Sequence, residues 1–189
     1  MFELRSCSIP DVVELFPVVH RDVRGQFSKI FHEKFFRKSG LRTDWREMYY
    51  STSRANVVRG LHFQLPPNDH AKMVVCLAGE VVDAIVDLRV GSPTYAQSSL
   101  FRLSSEVGNA IYIPSGFAHG FCVQRGLATL LYLTTSVHVP ESDTGIAWNS
   151  VDIKWPLKNP VLSERDAQLP PLAGFTSPFR YITGPKVSK

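Results

Sequence analysis

The chain has 189 residues, 44% hydrophobic and 20% charged, with 21 Lys and Arg against 17 Asp and Glu for a net charge of +4. That composition describes one ordinary globular domain over residues 1–189, with enough apolar material for a sizeable core. The mild positive charge suits an anionic ligand such as a diphosphate, but no basic run supports nucleic acid and no 18-residue apolar run supports a membrane span.

The first residues, Met1-Phe2-Glu3-Leu4-Arg5, lack the charged-then-apolar layout of a signal peptide. Three widely spaced cysteines, Cys7, Cys76 and Cys122, offer no zinc spacing and fit a reducing cytoplasm. Residues 1–30 read as short strands, with the polar stretch 20–25 as a loop that feeds a strand at 26–31. The spacing predicts a short helix over 33–39, stopped by Gly40. From Trp45 onward strand signals dominate, with runs at 57–64, 73–77, 81–86, 98–103, 110–114, 120–124 and 128–135. Turn residues such as Pro66-Pro67-Asn68-Asp69 and Gly91-Ser92-Pro93-Thr94 separate them, and the 8–12-residue recurrence predicts a β-sandwich or barrel. After Pro156 the composition shifts to Pro, Ser and charged residues. This tail is expected to wrap back over the barrel, with residues 176–189 partly disordered.

The run Val57-Val58-Arg59-Gly60-Leu61-His62-Phe63-Gln64 is the centre of the chain. Side chains alternate along a strand, so Arg59 and His62 cannot share a face of an unbroken one. Gly60 between them allows a bulge that would turn both toward one pocket.

Two kinds of chemistry are open to such a pocket. Pro114-Ser115-Gly116-Phe117-Ala118-His119 resembles the second motif of metal-binding cupins, but the earlier strand offers His62-Phe63-Gln64 where a His-x-His pair would stand. Lys72 lies close behind, and its charge opposes a second cation, so the ligand count favours a barrel without a metal. Acid–base chemistry needs a base near neutral pKa, a group to orient it, a cation for developing negative charge, and an acid. His62, Asp166, Lys72 with Arg59, and Tyr132 supply those types, although spacing alone cannot join them.

A family resemblance joins them. Asp22-x-Arg24-Gly25-x-Phe27, Ser51-x-Ser53, Val58 to Gln64, Lys72, Gly79-Glu80-Val81, Asp87-x-Arg89 and Ser92-Pro93-Thr94-Tyr95 follow one another in order. Ile113-Pro114-x-Gly116-Phe117-Ala118-His119-Gly120-Phe121, Leu131-Tyr132-x-Thr134-Thr135, Pro140-x-Ser142-Asp143-x-Gly145-Ile146 and Leu162-Ser163-Glu164-x-Asp166 complete the set. This sequence resembles the dTDP-4-dehydrorhamnose 3,5-epimerase family over roughly residues 15–170. The resemblance implies an all-β, cupin-type jelly-roll barrel with short peripheral helices, acting without a cofactor on a nucleotide-diphosphate-linked 4-keto sugar. It implies His62 as general base, Asp166 as the group that holds its ring, Lys72 at the enolate oxygen and Tyr132 as the acid on the opposite face. Arg24 and Arg59 would bind the diphosphate, with Arg165 as a helper, and His119 would line the sugar pocket. Phe27, Lys29, Glu47 and His138 fall at positions associated with nucleotide or substrate contacts.

Three of those positions depart from the family pattern. Lys29 stands where a Glu is usual, Glu47-Met48-Tyr49 replaces Gln-x-Asn, and His138 replaces a tyrosine that packs on the nucleotide. The departures leave dTDP, GDP and CDP sugars open, heptoses included, in deoxysugar and polysaccharide biosynthesis. A 3,4-ketoisomerase and a non-catalytic sugar-nucleotide-binding cupin are the alternatives. The resemblance also implies a cytoplasmic homodimer with exchanged N-terminal strands, in which Arg24 and Lys29 would serve the partner's pocket.

Overall fold

A computed structural model of the chain describes residues 2–182. Four short strands open it: β1 (Phe2–Ser6), β2 (Val13–Pro17), β3 (Val19–Asp22) and β4 (Gly25–Ser28). Helix α1 (Glu33–Lys38) follows, then β5 (Glu47–Arg54), β6 (Val58–Gln64), β7 (Lys72–Ala78) and β8 (Glu80–Asp87). Next come β9 (Ser98–Ser104), β10 (Ala110–Ile113), β11 (Phe117–Cys122), β12 (Leu127–Thr134) and β13 (Asp143–Gly145), with α2 (Glu164–Ala167) and a 3-10 turn at Leu172–Gly174 after them.

The strands form two antiparallel sheets that face each other in the expected jelly roll. One has the order β1-β2-β10-β7-β12-β5 and the other β13-β6-β11-β8-β9, while β3 and β4 make a separate two-stranded hairpin. Alternation sorts the side chains into three layers. Val74, Ile85, Phe101, Ile111, Phe121 and Leu130 fill the space between the sheets. On the outside of the first sheet, Leu15, Met73, Val75 and Leu133 pack under Phe36 of α1. On the outside of the second, Leu61, Phe63, Ala84 and Val86 are covered by Ile146, Ile153 and Phe179. The chain after Pro156 therefore does return over the barrel.

Several boundaries differ from expectation. The polar stretch at 20–25 is not a loop: its first three residues lie in β3, which turns back at Val23-Arg24 with Asp22 opposite Gly25. The Asp22 carboxylate accepts the Arg24 N–H at 2.8 Å, and Gly25 takes φ +124°, which together close the turn. Strand β4 stops at Ser28, short of residue 31, and β11 starts three residues before 120. Strand β13 was not expected. Of the tail, residues 176–182 are described, with Ser177 and Phe179 buried, and 183–189 lie outside the described residues.

Candidate active site

The inward faces of the two sheets enclose a cavity of about 360 Å³. The same alternation that builds the core decides which polar groups reach it. On β7, Lys72 shares a parity with the inward Val74 and Cys76; on β12, Tyr132 and Thr134 follow Leu130; on β11, His119 lies between Phe117 and Phe121. On β6, Leu61 and Phe63 pack outward, which turns His62 and Gln64 inward. Arg59 should then point away, yet it lines the same cavity. Gly60, at φ +122°, changes the parity, and the pairing of β11 with β6 shifts register between His119 and Phe121 at this level. A Cβ on Gly60 would come within 2.6 Å of the Gly120 Cα, so the close approach of these two strands needs glycine.

His62 and Asp166, 104 residues apart, meet here. The His62 Nε2 lies 2.6 Å from Asp166 Oδ1, and Asp166 Oδ2 accepts the Gly60 N–H at 3.1 Å. Asp166 is buried on α2, whose first turn is capped by the Ser163 hydroxyl accepting the Asp166 N–H. Burial works to raise the Asp166 carboxyl, but the His62 ring, the Gly60 N–H and Arg165 together hold it below the ordinary carboxylate value. With Nε2–H donating to a carboxylate, the His62 Nδ1 keeps its lone pair.

Tyr132 lines the same cavity as His62, and its hydroxyl lies 3.2 Å from the Ser51 hydroxyl. Burial pushes its phenol well up, so it stays protonated at neutral pH. Tyr49, directly opposite Tyr132 across β5 and β12, stacks on its ring at 4.8 Å. Burial, with Glu47 and Asp143 adding to it, pushes the Tyr49 phenol up to about 12. Lys72 is 7% exposed, and burial draws its ammonium down to about 8 against the opposing pull of Asp83 and Asp143. His70, beside it, is held neutral by burial and by the Lys72 charge, at about 3, and shares hydrogen bonds with Gln64 and Ser136.

Nearer the rim, Arg59 Nε donates to Ser53 Oγ at 2.8 Å, Arg165 pairs with Asp143 at 2.9 Å, and the His138 N–H donates to Glu47. The structure thus gathers His62, Lys72, Tyr132, Glu47, Arg59, His119, His138 and Arg165 around one cavity, with Asp166 behind His62. It does not bring Arg24, Phe27 or Lys29 there. Arg24 and Phe27 sit on the β3–β4 hairpin and Lys29 just after it, all exposed, and Arg24 pairs with Asp22. Among the described residues no three His, Cys, Asp or Glu side chains cluster in a way that could hold a metal ion.

Tyr49 entered the sequence reading only as part of the Glu47-Met48-Tyr49 departure, and Ser51, His70, Asp83 and Asp143 were not singled out as site residues. A signal existed for two of those four. Ser51 shares the parity of Glu47 and Tyr49, and Asp83 interrupts an apolar strand, where a charge is rarely tolerated without a partner.

A family model described as dTDP-4-dehydrorhamnose 3,5-epimerase matches residues 6–174. The dTDP-4-dehydrorhamnose 3,5-epimerase of Shigella flexneri is 40% identical over 161 residues, which cover 84% of this chain and 89% of that protein. Among solved structures, the dTDP-6-deoxy-D-glucose-3,5-epimerase of Legionella pneumophila in complex with dTDP-4-keto-L-rhamnose superposes with a TM-score of 0.91 at 34% identity. That match covers 96% of this chain and all of the other. A 4-keto-6-deoxy sugar epimerase from the novobiocin gene cluster of Streptomyces spheroides gives a TM-score of 0.86 at 37% identity, covering 92% of this chain and 88% of that one.

Proposed function

The chain belongs to the dTDP-4-dehydrorhamnose 3,5-epimerase family and is a nucleotide-sugar epimerase, and from that premise we propose that it inverts C3, C5 or both of a 4-keto sugar, with His62 as base and Tyr132 as acid. The observation that carries the proposal is that His62, its ring held by Asp166, shares one cavity with Lys72 and Tyr132.

A C4 ketone acidifies the protons on C3 and C5. His62 Nδ1 takes one of them, and the electron pair moves through the ring bond onto the carbonyl oxygen. The resulting enolate lies against the Lys72 ammonium, a fixed charge that needs no reorganisation as the oxygen becomes negative. The Tyr132 phenol returns a proton to the same carbon from the opposite face, and the ketone re-forms with the centre inverted. Each inversion leaves His62 protonated and Tyr132 as a phenolate beside the Ser51 hydroxyl; His62 then releases its proton to solvent and the phenolate takes one up, so the cycle closes with no net proton gained or lost. The reaction is redox-neutral, so no electron carrier enters it. Arg59 and Arg165 offer guanidinium groups for a diphosphate. The Legionella relative binds a dTDP-linked keto sugar, which makes dTDP the first nucleotide to test, with GDP and CDP next.

A homodimer completes the proposal. Strand β5 is an outer strand of its sheet and exposes Met48 and Tyr50. The β3–β4 hairpin, a sheet of its own tied to the β9–β10 connection by Arg21 and Gln26, carries Arg24 and Phe27 away from its own cavity, as an element that inserts into a second copy would. The product would feed cytoplasmic deoxysugar or heptose supply for lipopolysaccharide or capsule.

The test is incubation with dTDP-, GDP- and CDP-linked 4-keto-6-deoxy sugars in deuterated water, with C3 and C5 followed by NMR. Deuterium uptake with inversion supports the epimerase. Migration of the carbonyl to C3 would make the protein a ketoisomerase, and silence on all three nucleotides would make it a binding protein. His62→Asn should abolish exchange with the fold intact, and Tyr132→Phe should slow inversion more than proton removal.

A further inference from the structure

Strand β8 carries a carboxylate into the space between the sheets. Asp83 follows the inward parity of Val81 and Ile85 and is fully buried. Its Oδ2 lies 2.8 Å from His119 Nε2, and its Oδ1 has no hydrogen-bond partner among the described residues. Asp83 does not itself reach the cavity wall, whereas His119 and Lys72 both do.

A carboxylate held this way is costly unless a cation compensates it. His119 is not that cation, because burial drives its ring toward the neutral form. In that form Nε2–H donates to Asp83, and the tautomer leaves Nδ1 unprotonated. Lys72 remains. It is buried, no side-chain hydrogen bond holds it among the described residues, and Asp83 is the strongest charge opposing its neutralisation.

We propose that Asp83 is a positioning residue for the active site: one oxygen fixes the His119 ring, and the other supplies the counter-charge that keeps Lys72 an ammonium where the enolate forms. This rests on the proton-transfer reading given above and adds to it the reason a buried lysine stays charged. The other titratable or charged groups that face the same cavity are Arg59 and His62 from β6, His70 ahead of β7, Tyr132 from β12 and Tyr49 from β5. Glu47 from β5, Asp143 from β13, His138 and Arg165 face it nearer the rim. Of the carboxylates among them, Asp143 already pairs with Arg165 and His138, and Glu47 already accepts the His138 N–H. Asp143 adds a smaller pull on Lys72 but is already paired, which leaves Asp83 as the main counter-charge.

The experiment is the pH dependence of kcat/KM for substrate exchange in the wild-type protein and in Asp83→Asn. Asparagine keeps the shape and an oxygen for His119 but not the charge. Lys72 is held at about 8, so the wild-type rate should fall above that pH. In Asp83→Asn the fall should begin about one unit lower, a tenfold change in the lysine's protonation equilibrium. A folded Asp83→Asn whose alkaline limb coincides with wild type overturns the assignment. A purely structural Asp83–His119 pair would change stability and leave that limb in place.

If Asp83→Asn does not fold, Lys72→Met serves. Burial already raises the Asp83 carboxyl against the pull of His119 and Lys72; without the lysine it should rise further. A group raised above its unfolded value destabilises the fold above that value and is relieved as pH falls. The melting deficit of Lys72→Met against wild type should then shrink between pH 8 and pH 4.5, and a constant deficit overturns the proposal. Lys72→Ala separates this from the reading beneath it. Unimpaired exchange in Lys72→Ala would overturn the role of Lys72 itself, whereas impaired exchange with an unshifted Asp83→Asn limb overturns only that of Asp83.

Discussion

Replacing Asp166 with asparagine tests the centre of the site most directly. The carboxylate accepts from two donors at once, the His62 ring at 2.6 Å and the Gly60 N–H at 3.1 Å, and is 4% exposed. An amide has one oxygen for these two donors. If that oxygen stays on His62, the NH₂ opposes the Gly60 N–H. If the amide flips, the NH₂ faces Nε2 and selects the tautomer whose proton sits on Nδ1, where the base should be free. Losing a charged acceptor at a buried position costs about 2–3 kcal/mol, and solvent screening reduces this little at such low exposure. The pH dependence is fixed in sign. The folded Asp166 value lies below its ordinary 3.8, so its stabilisation is present above 3.8 and lost as pH falls through the lower folded value. The gap between wild type and Asp166→Asn, measured by denaturant unfolding, should therefore be full at pH 7 and close below about pH 4. Exchange of the sugar α-proton at pH 7 should fall about 10²–10⁴-fold, the usual range for a disabled general base. Exchange within threefold of wild type would refute the proposed dyad.

Gly60→Ala should cost about 3 kcal/mol or more, because it combines a glycine-only backbone region with a Cβ forced onto the Gly120 backbone; thermal unfolding within a degree of wild type would contradict this. Ser163→Ala should lose about 1 kcal/mol with the cap of α2, and exchange should slow in parallel because that cap seats Asp166. Glu47→Gln keeps an acceptor for the His138 N–H but removes a negative charge from the cavity proposed to hold a diphosphate. It should tighten dTDP binding about fivefold at low salt, near 1 kcal/mol for one charge in a largely aqueous rim. Calorimetry that shows unchanged affinity would remove Glu47 from the electrostatics of the site.

The sequence showed its strands wherever apolar alternation was strong, and the helix at α1 wherever a glycine closed it. It did not show the β3–β4 hairpin, because the turn residues Val23 and Arg24 are not turn formers; the Asp22 side chain and Gly25 close the turn from outside it. Strand β13 is three residues long, too short to carry a period. The parity conflict between Arg59 and His62 was visible, and so was its resolution at Gly60. Asp166 illustrates the opposite case. A carboxylate in the charged run Glu164-Arg165-Asp166 looks solvated, and only the fold turns it inward across 104 residues to the His62 ring. Family resemblance could name that partner; local pattern could not. Asp83 was legible in a weaker sense, as a charge inside Val81 to Val86, but neither local pattern nor resemblance said what it was for.

Depth separates the residues that keep the family pattern from the three departures. Lys72, His119, Tyr132, Asp83 and Asp166 are each less than 9% exposed, so a change at any of them must be matched by its neighbours. Glu47, His138 and Lys29 sit at the rim or near the hairpin, where a new side chain meets solvent and one or two partners. A rim substitution therefore alters what the cavity admits while the buried set keeps its distances. Tyr49 sits between these regimes: it is 42% exposed, yet it stacks on Tyr132. It is the departure through which a change in recognition would reach the proposed acid, because any ligand group that displaces the Tyr49 ring removes one wall of the Tyr132 phenol.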